Sequence, residues 1–225
     1  SFRLLPYMEG STIFDAYVPN VPVWDDRNAG AMRTAVATYY CPSRRSPAAD
    51  RNFDNNDQPP VVLGKAAGGD YAANAGTFYN YAPDDGRSDP RRAGPIHTFS
   101  KIRPAQVTDG LSKTLAIGER HIPPVDSSWP AEMVHRRQGD TAFFAADTPS
   151  TQFRDTYRGL ASTRDDRNDR KFGSTHPAVV NFVFLDGHVQ AMELETDLDV
   201  LRWYSVIGDG NDPTAPTDGA DDGSS

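Results

Sequence analysis

The chemically most suggestive residues of the sequence are Ser174 and His176, followed after nine further residues by Asp186 and Gly187. A serine, a histidine and an aspartate are the nucleophile, base and orienting group of an acyl-transfer triad. The residues between His176 and Asp186 are largely apolar and predict a strand, which rises about 3.3 Å per residue. Such a strand holds the two side chains on the order of 20 Å apart, so we expect no catalytic triad here.

The same stretch predicts a β-hairpin. Residues 179–185 and 188–194 have strand composition, and Asp186-Gly187 is a dipeptide typical of two-residue hairpin turns, where positive φ angles are required. In that register Leu185 faces His188. Period-two alternation then predicts one buried apolar face, formed by Val180, Phe182, Phe184, Val189 and Ala191. We expect His176 to be structural, buried or half-buried at the strand entry and hydrogen-bonded to nearby backbone.

The histidines, the cysteine and Glu119 suggest no metal or catalytic centre by their spacing. None of the five histidines lies in a His-Glu-x-x-His pattern, and the single cysteine, Cys41, excludes a cysteine-rich zinc site. Glu119 and Arg120 follow an apolar run, but an isolated carboxylate is more often a surface or ion-pair residue. We therefore expect no catalytic residues and no transition metal.

Clustered oxygen ligands occur only near the end of the chain. Asp209, Asn211 and Asp212 are weak calcium candidates, because Pro213 stands where an EF-hand loop needs its next ligand. A solvated acidic tail over residues 208–225 is the favoured interpretation. Trp24, Trp129 and Trp203 leave open a sugar-binding face, although large aromatic residues more often fill a core.

Length and composition indicate one loop-rich domain. A chain of 225 residues suits a single domain, here residues 1–207, and its 18 glycines and 18 prolines favour short elements. The net charge is −8, and residues 208–225 contain five aspartates without lysine or arginine. No basic surface for nucleic acid is indicated. No apolar run reaches the roughly 18 residues of a membrane span.

The remaining elements are short. We expect a helix after Ser11 and a second helical passage over residues 28–43, ending at Cys41 because a proline follows. Residues 44–60 and 162–173 are expected to be exposed loops. A buried strand is predicted over residues 114–118. Residues 123–170 are expected to be irregular, anchored by Trp129 and the pair Phe143-Phe144.

Several segments together resemble a known family. "STHPAVVNFVFLDGHV" resembles the prepilin-type processing-associated motif of a planctomycete-rich family, in which a histidine is followed after nine residues by Asp-Gly. "FRLLPYMEGSTIFDAY", "YYCPSRR" and "VTDGLSKTLAIGER" resemble the same family in the same order, and "DLDVLRWYSVIGDGND" resembles its closing segment. The resemblance extends from Phe2 to about Asp212.

This resemblance implies a type IV pilin- or pseudopilin-like α+β head with an antiparallel sheet and a C-terminal hairpin. It further implies a hydrophobic N-terminal helix, outside these 225 residues, that is processed by a prepilin peptidase and anchors the protein in the inner membrane. The expected protein is a non-enzymatic structural subunit of the cell envelope or surface, which assembles with itself or with other pilin-like subunits.

The resemblance also suggests a partner for Cys41. The segment that precedes the head in this family commonly carries a cysteine, and a disulfide from that cysteine to Cys41 would tie the head to its helix. A buried free thiol is the alternative. For the protein as a whole, the alternative is a secreted carbohydrate- or calcium-binding surface module.

Overall fold

Five of the seven strands that the structure describes form one sheet. The computed structural model describes residues 2–23, 25–53, 65–78, 89–141 and 149–213. The strands are β1 (Ala49–Arg51), β2 (Ala66–Ala67), β3 (Tyr71–Asn74), β4 (Leu115–Glu119), β5 (Phe153–Arg154), β6 (Val179–Phe184) and β7 (Val189–Glu193). The large sheet has the order β5-β3-β4-β6-β7, while β1 and β2 form a separate antiparallel pair. Only the β3–β5 pairing in the large sheet is parallel, so the expected α+β class with an antiparallel sheet is confirmed.

Short helices surround this sheet. The α-helices are α1 (Ser11–Ala16), α2 (Ala29–Arg33), α3 (Val134–Arg137), α4 (Pro149–Gln152) and α5 (Leu198–Ser205). The 3-10 helices are Phe2–Met8, Asp26–Asn28, Ala37–Tyr39, Pro104–Gln106, Leu111–Lys113 and Ala131–Met133. Asp197 caps the N-terminus of α5, because its side chain accepts hydrogen bonds from the backbone N–H groups of Asp199 and Val200. Within the described ranges, no helix has both the length and the apolar character needed to cross a membrane.

The main core lies between one face of the sheet and α5. Alternate residues of β6, Val180, Phe182 and Phe184, are at most 1% exposed, as period-two alternation predicts. Gly118 of β4 faces Phe182 across the sheet. A Cβ atom at Gly118 would lie 2.4 Å from the Phe182 ring, so the core requires glycine at this position.

The hairpin between β6 and β7 has a different turn from the predicted one. Phe184 N–H donates to the His188 carbonyl and Gly187 N–H donates to the Phe184 carbonyl, which makes a three-residue loop with Gly187 at φ 93°. The predicted two-residue turn is therefore wrong. The extra loop residue shifts the register of β7 by one position, and a one-residue shift moves every side chain to the other face.

The register shift changes which residues of β7 enter the core. Val189 lies opposite Val183, and Ala191 lies opposite Asn181. Val189 is 65% exposed and Ala191 is also exposed, so their predicted burial is wrong. Met192, at 4% exposure, is the β7 residue in the core.

Two of the predicted loops contain buried residues. The segment 44–60 was expected to be exposed, yet it contains β1, and Phe53 is only 2% exposed; residues 54–60 lie outside the described residues. In the segment 162–173, Phe172 is fully buried and contacts Phe182 edge-on at 5.0 Å. The polar residues around these two phenylalanines led to the prediction of exposed loops. Local composition does not show that each ring packs against residues distant in sequence. Phe143 and Phe144 lie outside the described residues.

Candidate functional site: a buried cysteine, glutamate and histidine

Three side chains that are distant in sequence meet at the end of β4, the central strand of the sheet. Cys41 Sγ lies 3.6 Å from His176 Nε2, and Glu119 Oε1 lies 3.2 Å from the same nitrogen. Their donor atoms all lie within 4.8 Å of one another. Cys41 and Glu119 are 3% and 1% exposed, whereas the His176 side chain is 28% exposed. The cluster is therefore buried on two sides and reaches solvent along the imidazole.

Glu119 is positioned by the pairing of β4 with β6. It is the last residue of β4, and its Oε2 accepts hydrogen bonds from the backbone N–H of Asn181 at 2.8 Å and from Asn181 Nδ2 at 3.0 Å. These two bonds fix the carboxylate and leave Oε1 directed at His176. Of the two expected roles for Glu119, surface or ion-pair residue, the surface role is wrong, because Glu119 is 1% exposed. Its 3.2 Å contact with His176 agrees with the ion-pair alternative.

Cys41 is positioned by a buried aspartate. It follows the 3-10 helix Ala37–Tyr39, and its backbone N–H donates to Asp70 Oδ2 at 2.9 Å. Asp70 N–H in turn donates to the Tyr39 carbonyl, and the Asp70 carbonyl accepts from Arg120 N–H. The chain before Cys41 is thus fastened directly to the chain after Glu119.

His176 is held by its backbone and by the two other members of the cluster. Its backbone N–H donates to Ser174 Oγ at 2.8 Å, and Ser174 Oγ donates to the Val179 carbonyl at 2.7 Å. The imidazole is half-buried, but its described partners are side chains rather than nearby backbone. This arrangement orients the ring towards Cys41 and Glu119 at the entry to β6.

A network of buried charges lies beside the cluster. Asp70 and Asp140 are fully buried, and Arg45 joins them with contacts of 2.7 Å to each carboxylate. Arg120, also fully buried, donates to Asp140 and to two backbone carbonyls. Because removing either partner would leave an uncompensated buried charge, these pairs fix the relative positions of distant segments.

The electrostatics of the network follow from burial and pairing. Burial alone would raise the pKa of Asp140, but the guanidinium groups of Arg120, Arg45 and Arg51 hold that pKa below its usual range. Burial lowers the pKa of Arg120 to about 9, which leaves the guanidinium charged at neutral pH. Burial, together with the Glu119 carboxylate, raises the pKa of the Cys41 thiol.

The arrangement of the cluster does not match a nucleophile-base relay. In such a relay the nucleophile and the carboxylate contact different ring nitrogens of the histidine. Here Cys41 and Glu119 both face Nε2, and a thiol with a raised pKa is a poor nucleophile. Three donor atoms directed at one point are instead typical of metal coordination.

Asp186, the possible triad partner of His176 in the sequence, lies far from the cluster. Asp186 is at the hairpin tip, at the opposite end of β6 from His176, and its Oδ1 lies 2.6 Å from His188 Nδ1. The structure therefore does not bring Asp186 and His176 together. This agrees with the separation predicted from the length of the strand between them.

Two of the three weak calcium candidates, Asp209 and Asp212, already have protein partners for their carboxylates. Asp209 Oδ1 accepts from the Asn211 backbone N–H, and Asp212 pairs with Lys113 at 2.7 Å. The backbone N–H of Asp209 donates to Asp109. This first part of the acidic tail is thus attached to the domain, and residues 214–225 lie outside the described residues.

No local pattern in the sequence indicates the cluster. Cys41 and His176 are 135 positions apart, so no local spacing relates them. One indirect indication of the cluster is Glu119, which directly follows the strand predicted to be buried. A carboxylate that is buried at the end of such a strand needs a polar or charged partner.

Comparison with known proteins identifies a family but no function. A family described as "Protein of unknown function (DUF1559)" matches residues 1–199. This range includes "FRLLPYMEGSTIFDAY", "YYCPSRR", "VTDGLSKTLAIGER" and the segment containing His176 and Asp186. No curated protein and no solved structure matches the chain.

Proposed function

The chain belongs to this family of unknown function, and we propose that it is the outward head of a pilin- or pseudopilin-like subunit of the cell envelope. In this proposal the head has no enzymatic activity, and it assembles with copies of itself or with related subunits through an apolar helix N-terminal to residue 1. Family membership and the α+β architecture with its antiparallel sheet support the proposal.

The observation that carries the proposal is the surface position of the N-terminal segment. The 3-10 helix Phe2–Met8 is held against α1 by Leu5, which is fully buried, and by Phe2, which stacks on Phe14 at 4.7 Å. On the same 3-10 helix, Leu4 is 44% exposed and Tyr7 is 87% exposed. Residues three positions apart lie on the same side of a 3-10 helix, so Leu4 and Tyr7 form an exposed apolar pair that is available to an adjoining segment.

The buried charged groups support a structural rather than a catalytic role. The Arg45, Asp70, Asp140 and Arg120 side chains are used in ion pairs that join segments of the chain. Catalytic groups need access to a substrate, whereas Asp70, Asp140 and Arg120 are fully buried. The network therefore stabilises the relative positions of these segments in the head.

The proposal is tested by photo-crosslinking in intact cells that make the whole gene product. A benzophenone amino acid replaces Tyr7, and the matched control places it at Phe99, another aromatic residue that is 80% exposed. We expect covalent species larger than the monomer from Tyr7 and far fewer from Phe99, with the protein in the envelope fraction. Monomer alone from both positions, or protein released as a monomer into the medium, would contradict assembly through this segment.

A carbohydrate-binding surface module is the second candidate, and one cleft favours it. This cleft of about 560 Å³ is lined by Phe78 and Tyr157, whose rings meet edge-on at 5.4 Å, and by charged side chains from the loop that contains Asp166. Aromatic rings beside hydrogen-bonding groups suit sugar rings. Trp129 and Trp203 do not line the cleft, and Trp24 lies outside the described residues.

A glycan array followed by calorimetric titration tests this second candidate. Binding that Tyr157→Ala abolishes and Trp129→Ala leaves unchanged would support the cleft as a sugar site. The absence of any glycan ligand at millimolar concentration would remove the candidate.

A further inference from the structure

We propose that Cys41, Glu119 and His176 bind one zinc ion, which clips together three distant segments of the head. The donor set consists of a thiolate sulfur, an imidazole nitrogen and a carboxylate oxygen, and each of these is an established ligand type for Zn²⁺. A sulfur ligand excludes Mg²⁺ and Ca²⁺, which take oxygen ligands. The three-ligand set leaves the fourth tetrahedral position to water.

The distances between the donor atoms match a tetrahedral ion. With Zn–S of about 2.3 Å, Zn–N of about 2.05 Å and Zn–O of about 2.1 Å, tetrahedral angles place S and N about 3.6 Å apart and N and O about 3.4 Å apart. The corresponding separations are 3.6 Å for Cys41 Sγ to His176 Nε2 and 3.2 Å for His176 Nε2 to Glu119 Oε1. Two of the three donor separations therefore suit a tetrahedral ion, and the third, from Cys41 Sγ to the Glu119 carboxylate, is at most 4.8 Å.

The neighbouring residues orient two of the ligands. Asn181 holds Glu119 Oε2 through two hydrogen bonds, so Oε1 remains free to coordinate. Asp70 holds the backbone of Cys41. Partners of this kind, which fix a ligand without touching the metal, commonly raise metal affinity about 10- to 100-fold.

The charge and accessibility of the cluster also suit a cation. A bound thiolate and the Glu119 carboxylate together neutralise a divalent ion. The positive charge of Arg44 also acts on Cys41, but its guanidinium donates to the carbonyls of Arg120 and Gly173 and lies 3.6 Å from Asp70. The His176 side chain is 28% exposed, so the ion reaches the cluster from solvent beside the imidazole. Water reaches the fourth coordination position by the same route.

Metal binding would act on the stability of the head. The three ligands lie after a 3-10 helix, at the end of β4 and before β6, so one ion joins segments that only the folded chain brings together. Binding to the folded state alone raises the apparent stability with metal concentration. Coordination of Cys41 excludes the disulfide to an upstream segment that the family resemblance suggested, so the two fates of this thiol are distinguishable.

Cobalt substitution tests the site directly. Reduced, chelator-stripped protein is titrated with Co²⁺, and the absorption spectrum is recorded. The titration uses the 225-residue chain, in which Cys41 is the only cysteine, so any thiolate-to-cobalt charge-transfer band arises at Cys41. We expect that band together with tetrahedral d–d bands, saturating at one equivalent, and displacement of both by Zn²⁺. A titration without a thiolate band would overturn the proposal.

Variants establish the full ligand set. Competition titrations with Zn²⁺ should show binding weakened at least about tenfold in Glu119→Gln and His176→Gln. Asn181→Ala should weaken it about 10- to 100-fold without removing a ligand. The matched control His188→Gln, which alters an exposed histidine at the hairpin tip, should bind like the wild type. Circular dichroism verifies that each variant is folded, and unchanged Zn²⁺ affinity in folded Glu119→Gln and His176→Gln would refute the assignment.

Discussion

Replacing Asp140 by asparagine should destabilise the fold far more than the same change in an exposed ion pair. Asn is nearly isosteric with Asp, so the substitution removes the charge and leaves the volume unchanged. Asp140 is fully buried and contacts Arg45 and Arg120, the second of which is also fully buried. Without the carboxylate, the fully buried Arg120 guanidinium loses the charged partner that its Nη2 contacts at 2.5 Å.

The magnitude follows from this burial. Removing one partner of a buried ion pair costs about 3 to 5 kcal/mol, because the remaining charge is desolvated and uncompensated. Arg45 retains its contact with Asp70 at 2.7 Å, and Arg120 retains its hydrogen bonds to two carbonyls, so we expect a value near 3 kcal/mol. That is a large fraction of the roughly 5 to 15 kcal/mol that stabilises a typical domain.

Urea unfolding followed by far-UV circular dichroism measures the effect. The matched control is Asp126→Asn, which disrupts a pair with Arg167 in which the arginine side chain is 71% exposed. Exposed pairs contribute about 0 to 1 kcal/mol, so the control should unfold within about 1 kcal/mol of the wild type. Equal midpoints for Asp140→Asn, Asp126→Asn and the wild type would refute the claim that this network stabilises the head.

Three further changes have defined outcomes. Gly118→Ala should lower stability by about 1 to 3 kcal/mol in thermal unfolding, because its Cβ would lie 2.4 Å from the Phe182 ring; a wild-type melting temperature would contradict this. Gly187→Val should cost about 1 kcal/mol or more for its positive φ alone, since a Cβ at Gly187 meets no atom within 4 Å; unchanged melting would refute the turn. Burial, with the nearby Arg51 charge, lowers the pKa of His135 to about 4. The unfolded chain therefore binds more protons between about pH 4 and 6.5, and stability should fall by about 3 kcal/mol as the pH drops through this window. If His135→Gln shows the same pH dependence as the wild type, His135 is not its origin.

Local patterns predicted the elements that local forces determine. The alternation of Val180, Phe182 and Phe184 gave the buried face of β6, because a strand places successive side chains on opposite faces. The apolar run before Glu119 gave β4. Asp186-Gly187 correctly marked a turn, but the sequence could not distinguish a two-residue from a three-residue loop, because both use glycine at positive φ.

The candidate site depends on contacts that no local pattern encodes. Cys41 and His176 are 135 positions apart, and Arg45 lies in a segment whose polar composition predicted an exposed loop. Its burial follows from Asp70 and Asp140, which come from separate segments and need a cationic partner in the interior. Such pairings become visible only when the register of β3, β4 and β6 is known.

The central claim is that this chain is the head of an assembled envelope subunit, and the size of the native protein tests it most directly. Membranes from cells that make the whole gene product are extracted with mild detergent, and the extracted species is sized by gel filtration and viewed by electron microscopy. We predict that the protein is extracted from the membrane fraction as an assembly many times the mass of one chain. Recovery of the whole gene product from the soluble fraction as a lone monomer would contradict the claim.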